Sequence, residues 1–233
     1  MSSSFPSNAS PGRAALRTTG TQAKNCRTST FRSASELKQR FKEIGKTYDA
    51  VQLSQGPLNG KFTLTNLGSI FLLKIYTNQR LLLNGDRGFD CMSFCLEATG
   101  LADQHLMHNK PIAPYSLNGF RQGQKESHFQ LTANTTTFLV ILSISRFNAF
   151  ISHCERDDLI EELEGHNALQ MKPAMHAQFR KQLQSLILNP ALTTQQSRQI
   201  TNHLYSSFLS ALIDKSNVDY LAYTPSPRQE LVK

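Results

Sequence analysis

The chain has 233 residues, 25 Lys plus Arg against 17 Asp plus Glu (a formal charge of +8), and 39% hydrophobic residues. That is length for one or two domains and apolar content enough for a core. The longest apolar run, Phe138 to Leu142, has five residues, far short of the roughly 20 that span a bilayer. Four cysteines at 26, 91, 95 and 154, with no N-terminal apolar stretch, exclude a disulfide scaffold and point to a reducing, cytoplasmic setting.

Residues 1 to 33 carry Arg13, Arg17, Lys24, Arg27 and Arg32 and no acid, so they supply +5 of the +8. They are rich in Ser, Thr, Pro and Gly and bury too little to offset the entropy of ordering, which predicts a disordered basic tail. A mis-assigned start, an organelle transit peptide and a basic arm on nucleic acid are the other readings of the same composition.

Ser33-Ala34-Ser35-Glu36 has the form of a capping box, and Leu37, Phe41 and Ile44 follow at helical spacing up to Gly45. A short amphipathic helix therefore opens the region 34–145. From Asp49 onward, short runs rich in β-branched and aromatic residues alternate with Gly, Pro, Asn and Asp clusters. Strands are expected at 50–54, 61–67, 69–76, 89–97, 112–116, 127–133 and 136–145, with turns at Gly56-Pro57, Asn59-Gly60, Asn84-Gly85-Asp86, Asn118-Gly119 and Ala133-Asn134. So many short strands predict an antiparallel barrel or sandwich rather than a parallel sheet with crossover helices.

Past Arg146 the apolar period shifts from 2 toward 3.6. Phe147, Phe150 and Ile151 suit one helix, and Asp157 to Leu163 a short acidic one ending at Gly165. Two longer helices follow: Met175, Phe179, Leu183, Leu186 and Ile187 form one stripe, and Ile200, Leu204, Phe208, Ala211 and Leu212 another. The short connection through Asn189-Pro190 predicts an antiparallel αα-hairpin. Region 146–215 is thus expected to be helical and 216–233 a tail; the whole is an α+β protein. The two stripes are wide enough to serve a core or a partner helix, and Met175, Phe179, Leu183, Leu186, Ile200, Leu204, Phe208 and Leu212 are the candidate self-association residues.

The residues offer little for catalysis. A cupin-type metal site needs two or three imidazoles and a carboxylate, typically with His-x-His on one strand. This chain has only His105 and His108 at H-x-x-H spacing in a predicted loop, with His128 on a strand as a third imidazole. Cys91 and Cys95 share one strand face with Ser93, opposite Met92, Phe94 and Leu96, and lack a second ligand pair. There is no G-x-S-x-G, G-x-G-x-x-G or Walker loop. Asp157-Asp158 and Glu161-Glu162 read as a solvated acidic face. The hairpin helices are too long for a helix-turn-helix, although Arg180, Lys181, Gln195, Gln196 and Arg198 are available for DNA.

Three segments together give the chain a family likeness. Gln52-Leu53-Ser54-Gln55-Gly56-Pro57-Leu58-Asn59-Gly60 leads into Phe62, Leu64 and Leu67; Asn78-Gln79-Arg80-Leu81 is followed by Gly85; and His128 to Leu131 with Asn134 precedes the strand Phe138 to Ile144. Over residues 31 to 215 the pattern resembles the N-terminal regulatory part of AraC-type transcription regulators. The resemblance implies a cupin-like β-barrel that senses a signal, helices used for dimerisation, and a C-terminal helix-turn-helix part that this chain does not reach. The implied role is non-catalytic sensing and dimerisation, as a homodimer or paired with full-length relatives, with a small-molecule effector and no cofactor or metal. DNA would be reached only through the missing domain. Leu64, Ile70, Leu72, Met92 and Phe94 are candidates to line an effector pocket or a filled core. The alternatives are a metal-dependent enzyme using His105, His108 and His128, and a DNA-binding protein using the basic tail and the hairpin.

Overall fold

The computed structural model describes residues 26–86, 91–97, 106–107, 110–119, 126–187, 194–213 and 218–222. In chain order the elements are β1 (Cys26–Phe31), α1 (Ala34–Lys42), β2 (Thr47–Gln52), β3 (Gly60–Asn66), β4 (Ile70–Thr77) and β5 (Leu81–Asp86). Then come β6 (Cys91–Glu97), β7 (Leu106–Met107), β8 (Lys110–Pro111), β9 (Ser116–Asn118), β10 (Glu126–Leu131) and β11 (Thr135–Ser143). The last part holds α2 (Ile144–His153), α3 (Asp158–Gly165), β12 (His166–Met171), α4 (Pro173–Ile187), α5 (Thr194–Ile213) and β13 (Val218–Ala222).

The strands form two antiparallel sheets. The larger runs β1-β3-β4-β11-β6-β9-β12-β13 and the smaller β2-β5-β10-β7-β8. Among the described residues no strand pairing joins them, so the architecture is an open two-sheet sandwich, and the closed barrel is set aside. The two sheets share one core and the larger sheet has a second core on its other face, because its central strands are apolar on both sides. On β4, Leu73 and Ile75 face the smaller sheet while Ile70 and Leu72 face the helices; on β11, Ile141 and Phe138, Val140 and Leu142 divide the same way. Each fully buried side chain of this kind contributes roughly 1.5–3 kcal/mol, so both faces are needed to hold the large sheet.

α1 closes one end of the space between the sheets. Ser33 caps it, its hydroxyl accepting from the Glu36 N–H at 3.1 Å, and the Glu36 carboxylate accepts from the Arg32 N–H at 2.7 Å. The reciprocal bond thus reaches one residue earlier than in the standard capping box. Phe41 then bridges the sheets, with ring centroids 4.8 Å from Tyr48 on β2 and 5.5 Å from Phe62 on β3.

The structure revises several expectations. Cys26–Phe31 lies in the stretch expected to be a tail, yet it is a strand along the edge of β3. Its side chains are mostly polar, but β3 satisfies its backbone, the Thr28 and Thr63 hydroxyls meet at 3.0 Å, and Phe31 is completely buried. Residues 1–25 lie outside the described residues. Asn84-Gly85-Asp86, expected as a turn, ends strand β5 instead. A Cβ on Gly85 would stand 2.4 Å from the Thr47 carbonyl oxygen and 2.7 Å from the Tyr48 Cα, so glycine serves a close strand contact there. The region expected to be helical contains β12, which adds to the larger sheet beside β9, and β13 lies within the expected terminal tail.

Candidate functional site

Between the sheets lies a cavity with about 480 Å³ of empty space counting its mouth, of which about 40 Å³ admits the centre of a water molecule. One wall belongs to the smaller sheet. Strand register sets Leu83, Phe129 and Met107 side by side across β5, β10 and β7, with Tyr48 and Ser127 in the adjoining row. The facing wall belongs to the larger sheet, where Leu139, Cys95 and Asn118 are neighbours across β11, β6 and β9. Ser93 and Thr137 flank that row two residues away on β6 and β11.

One wall is therefore apolar and the other carries neutral hydrogen-bonding groups. Asn118 is buried, and its Nδ2 donates to the Ser116 Oγ at 2.8 Å. Ser116 in turn donates to the Ala113 carbonyl at 2.6 Å. This chain fixes the amide plane, leaving a second N–H and a carbonyl oxygen as further capacity. The Cys95 thiol lies 3.5 Å from the Asn118 carbonyl. Among the described lining residues none is Asp, Glu, Lys, Arg or His.

The residues singled out from sequence fall elsewhere. Ile70, Leu72, Met92 and Phe94 belong to the core under the helices, and Leu64 is a half-buried neighbour of the inter-sheet core; none of the five lines the cavity. The cavity uses the other face of β6, the Cys91, Ser93, Cys95 face that alternation separates from Met92, Phe94 and Leu96. Phe179, Leu183, Leu204 and Phe208 are buried in the chain's own core, and Met175, Leu186 and Ile200 pack against it. Phe208 stacks on Phe94 at 4.9 Å and 8°, and Phe179 lies 6.3 Å from Phe208. The Gln182 amide donates to the Ser207 hydroxyl at 3.2 Å, so α4 and α5 touch. The side chain of Leu212 lies outside the described residues.

His105 and His108 also lie outside the described residues. His128 sits on β10 between Ser127 and Phe129, both of which line the cavity, so alternation turns it to the outer face beside Asn84. Among the described residues no cluster of three or more His, Cys, Asp or Glu side chains is placed to hold a metal ion. Asp158 is engaged by the Arg156 guanidinium through two bonds of 2.7 and 2.8 Å, and Asp157 by the Ser152 hydroxyl. Lys181, Gln195, Gln196 and Arg198 are exposed and Arg180 is half-buried. No described helix is long and apolar enough to cross a membrane.

The segments carrying the family likeness have structural work. Ser54 donates to the Gln79 side-chain oxygen at 2.5 Å and accepts from the Arg80 N–H at 2.9 Å. Asn78 donates to the Pro57 carbonyl at 3.0 Å and accepts from the Asn59 N–H at 2.7 Å. The turn after β2 is thus bonded to the turn after β4, which knits the two sheets at the point where the chain passes between them.

Compared with solved structures, the fold is similar to that of the AraC-like transcriptional activator CuxR, with a TM-score of 0.58 and 9% sequence identity. The likeness covers 87% of this chain and 73% of that chain. At that identity it concerns the fold alone. No protein-family model matches the chain, and no curated protein sequence matches it.

Proposed function

We propose that the chain is a non-catalytic sensing part of a transcription regulator, in which occupancy of the inter-sheet cavity alters the packing of α4 and α5. The observation that carries this reading is one strand with two neighbours. β6 turns Ser93 and Cys95 to the cavity and Met92, Phe94 and Leu96 to the core that holds the helices. Interiors are close-packed, so a shift of the strand by a fraction of an ångström reaches Phe94 and, through the stacked rings, Phe208. The three sequence segments and the fold likeness to a transcriptional activator support the same class of function from separate directions.

In this reading the apolar stripes hold α4 and α5 to the sheet. A second copy or a full-length relative would then meet the outward rows, where Gln195 and Arg198 are exposed. The full chain joined to the DNA-reading domain of an AraC-type activator tests the proposal. Ser93→Phe, which fills the cavity without any ligand, should change reporter output about fivefold or more, the low end of ordinary allosteric coupling. Equal output from wild type and variant at matched protein levels would overturn it.

A further inference from the structure

From the cavity walls we infer that the site takes a neutral aromatic molecule of about one ring, bearing a single hydrogen-bonding group at its edge. The inference rests on the cavity being the sensing site and names what that site selects.

Size comes first. Space of about 40 Å³ for water centres corresponds to about three water molecules, or roughly 90 Å³ of liquid, which is the scale of one aromatic ring. A sugar pair or a dinucleotide does not fit. Charge comes second. With no ionic side chain among the described lining residues, an ion entering the cavity loses its hydration and finds no counter-charge. Carboxylates, phosphates and ammonium ions are therefore rejected. The third argument is the difference between the walls. Leu83, Phe129 and Met107 present two aliphatic surfaces and a ring, to which a flat apolar molecule can stack. Opposite them, Asn118 is held by Ser116 beside Ser93 and Thr137. That row offers neutral donors and acceptors to one polar substituent, and a ligand lacking one would leave it unmatched.

Cys95 reports occupancy because it lines the cavity, while Cys154 lies on the far side of the larger sheet, against the helical core. Alkylation of the intact protein by N-ethylmaleimide, read peptide by peptide, is measured with three probes of one shape: benzamide, benzoate and benzamidinium. Benzamide should slow alkylation of Cys95 saturably, about elevenfold at ten times its dissociation constant by mass action, and leave Cys154 unchanged. The two ions should have no effect. Asn118→Leu should weaken benzamide protection about tenfold, and Ser93→Val serves if that variant fails to fold. If either ion protects Cys95 as well as benzamide, the neutral ligand class is wrong and the cavity remains a binding site. If none of the three protects Cys95, the inference is overturned altogether. The proposed function is then judged by the reporter chimera, whose response to a filled cavity requires no ligand.

Discussion

Replacing Phe208 with Ala separates two roles for the helix stripes. Phe208 is 3% exposed, stacked on Phe94 at 4.9 Å, and within 5.8 Å of Phe147 and 6.3 Å of Phe179 by ring centroid. Buried Phe→Ala changes cost about 3–5 kcal/mol, and a stacked pair accounts for about 0.5–1.5 kcal/mol beyond burial. The rings around Phe208 are themselves pinned between the sheet and the helices, so the space left behind collapses poorly, which places the loss near 4 kcal/mol. Against a total stability of about 5–15 kcal/mol that is a large fraction. With a urea slope near 2.5 kcal/mol/M the midpoint should fall by about 1.6 M. Urea unfolding followed by far-ultraviolet circular dichroism at several protein concentrations makes the measurement. The Phe94→Ala, Phe208→Ala double-mutant cycle then isolates the stacked pair. A loss under about 1 kcal/mol would refute the reasoning. So would a midpoint that depends on protein concentration in the wild type and not in the variant, because the ring would then belong to a subunit interface.

A Cβ on Gly60 would stand 1.9 Å from the Phe31 ring, and that ring is fully buried, so Gly60→Ala should destabilise by about 1–3 kcal/mol in the same assay. Ser33→Ala removes the acceptor that caps α1 and should cost about 1 kcal/mol, with the loss read as a lower thermal midpoint. Burial pushes the Tyr205 phenol above its ordinary value of 10.0, against smaller opposing effects of the Ser69 hydroxyl and Arg146. In the unfolded chain that phenol ionises near pH 10 while the folded protein keeps its proton. Its contribution to stability is therefore complete below pH 10 and is lost as pH climbs toward the raised value. Tyr205→Phe should flatten the alkaline fall of the urea midpoint, and an unchanged slope would contradict this.

Much of the fold is readable along the chain because it rests on local periodicity. Alternation separates Cys91, Ser93 and Cys95 from Met92, Phe94 and Leu96, and the capping signal at Ser33 and Glu36 announces α1. β1 is not readable that way: its polar residues acquire strand structure only from the backbone of β3 and a place for Phe31 over Gly60. The stripe on α5 shows a related limit. Its buried row runs through Ser197, Thr201, Leu204, Tyr205 and Phe208, displaced toward polar residues because the Thr201 hydroxyl finds the Leu67 carbonyl at 3.1 Å. Such a partner, 134 residues away, is invisible to a pattern that scores hydrophobicity.

The order of residues thus determined an α+β chain with short antiparallel strands, a capped first helix and two long striped ones, since each depends on neighbours within a few positions. Tertiary structure alone decided that the stripes cover the chain's own sheet, that the strands divide into two sheets, and that the cavity opens on the Ser93 and Cys95 face of β6. Both faces of that strand are buried, so its sequence marks two sides without saying which one meets helices and which one meets empty space.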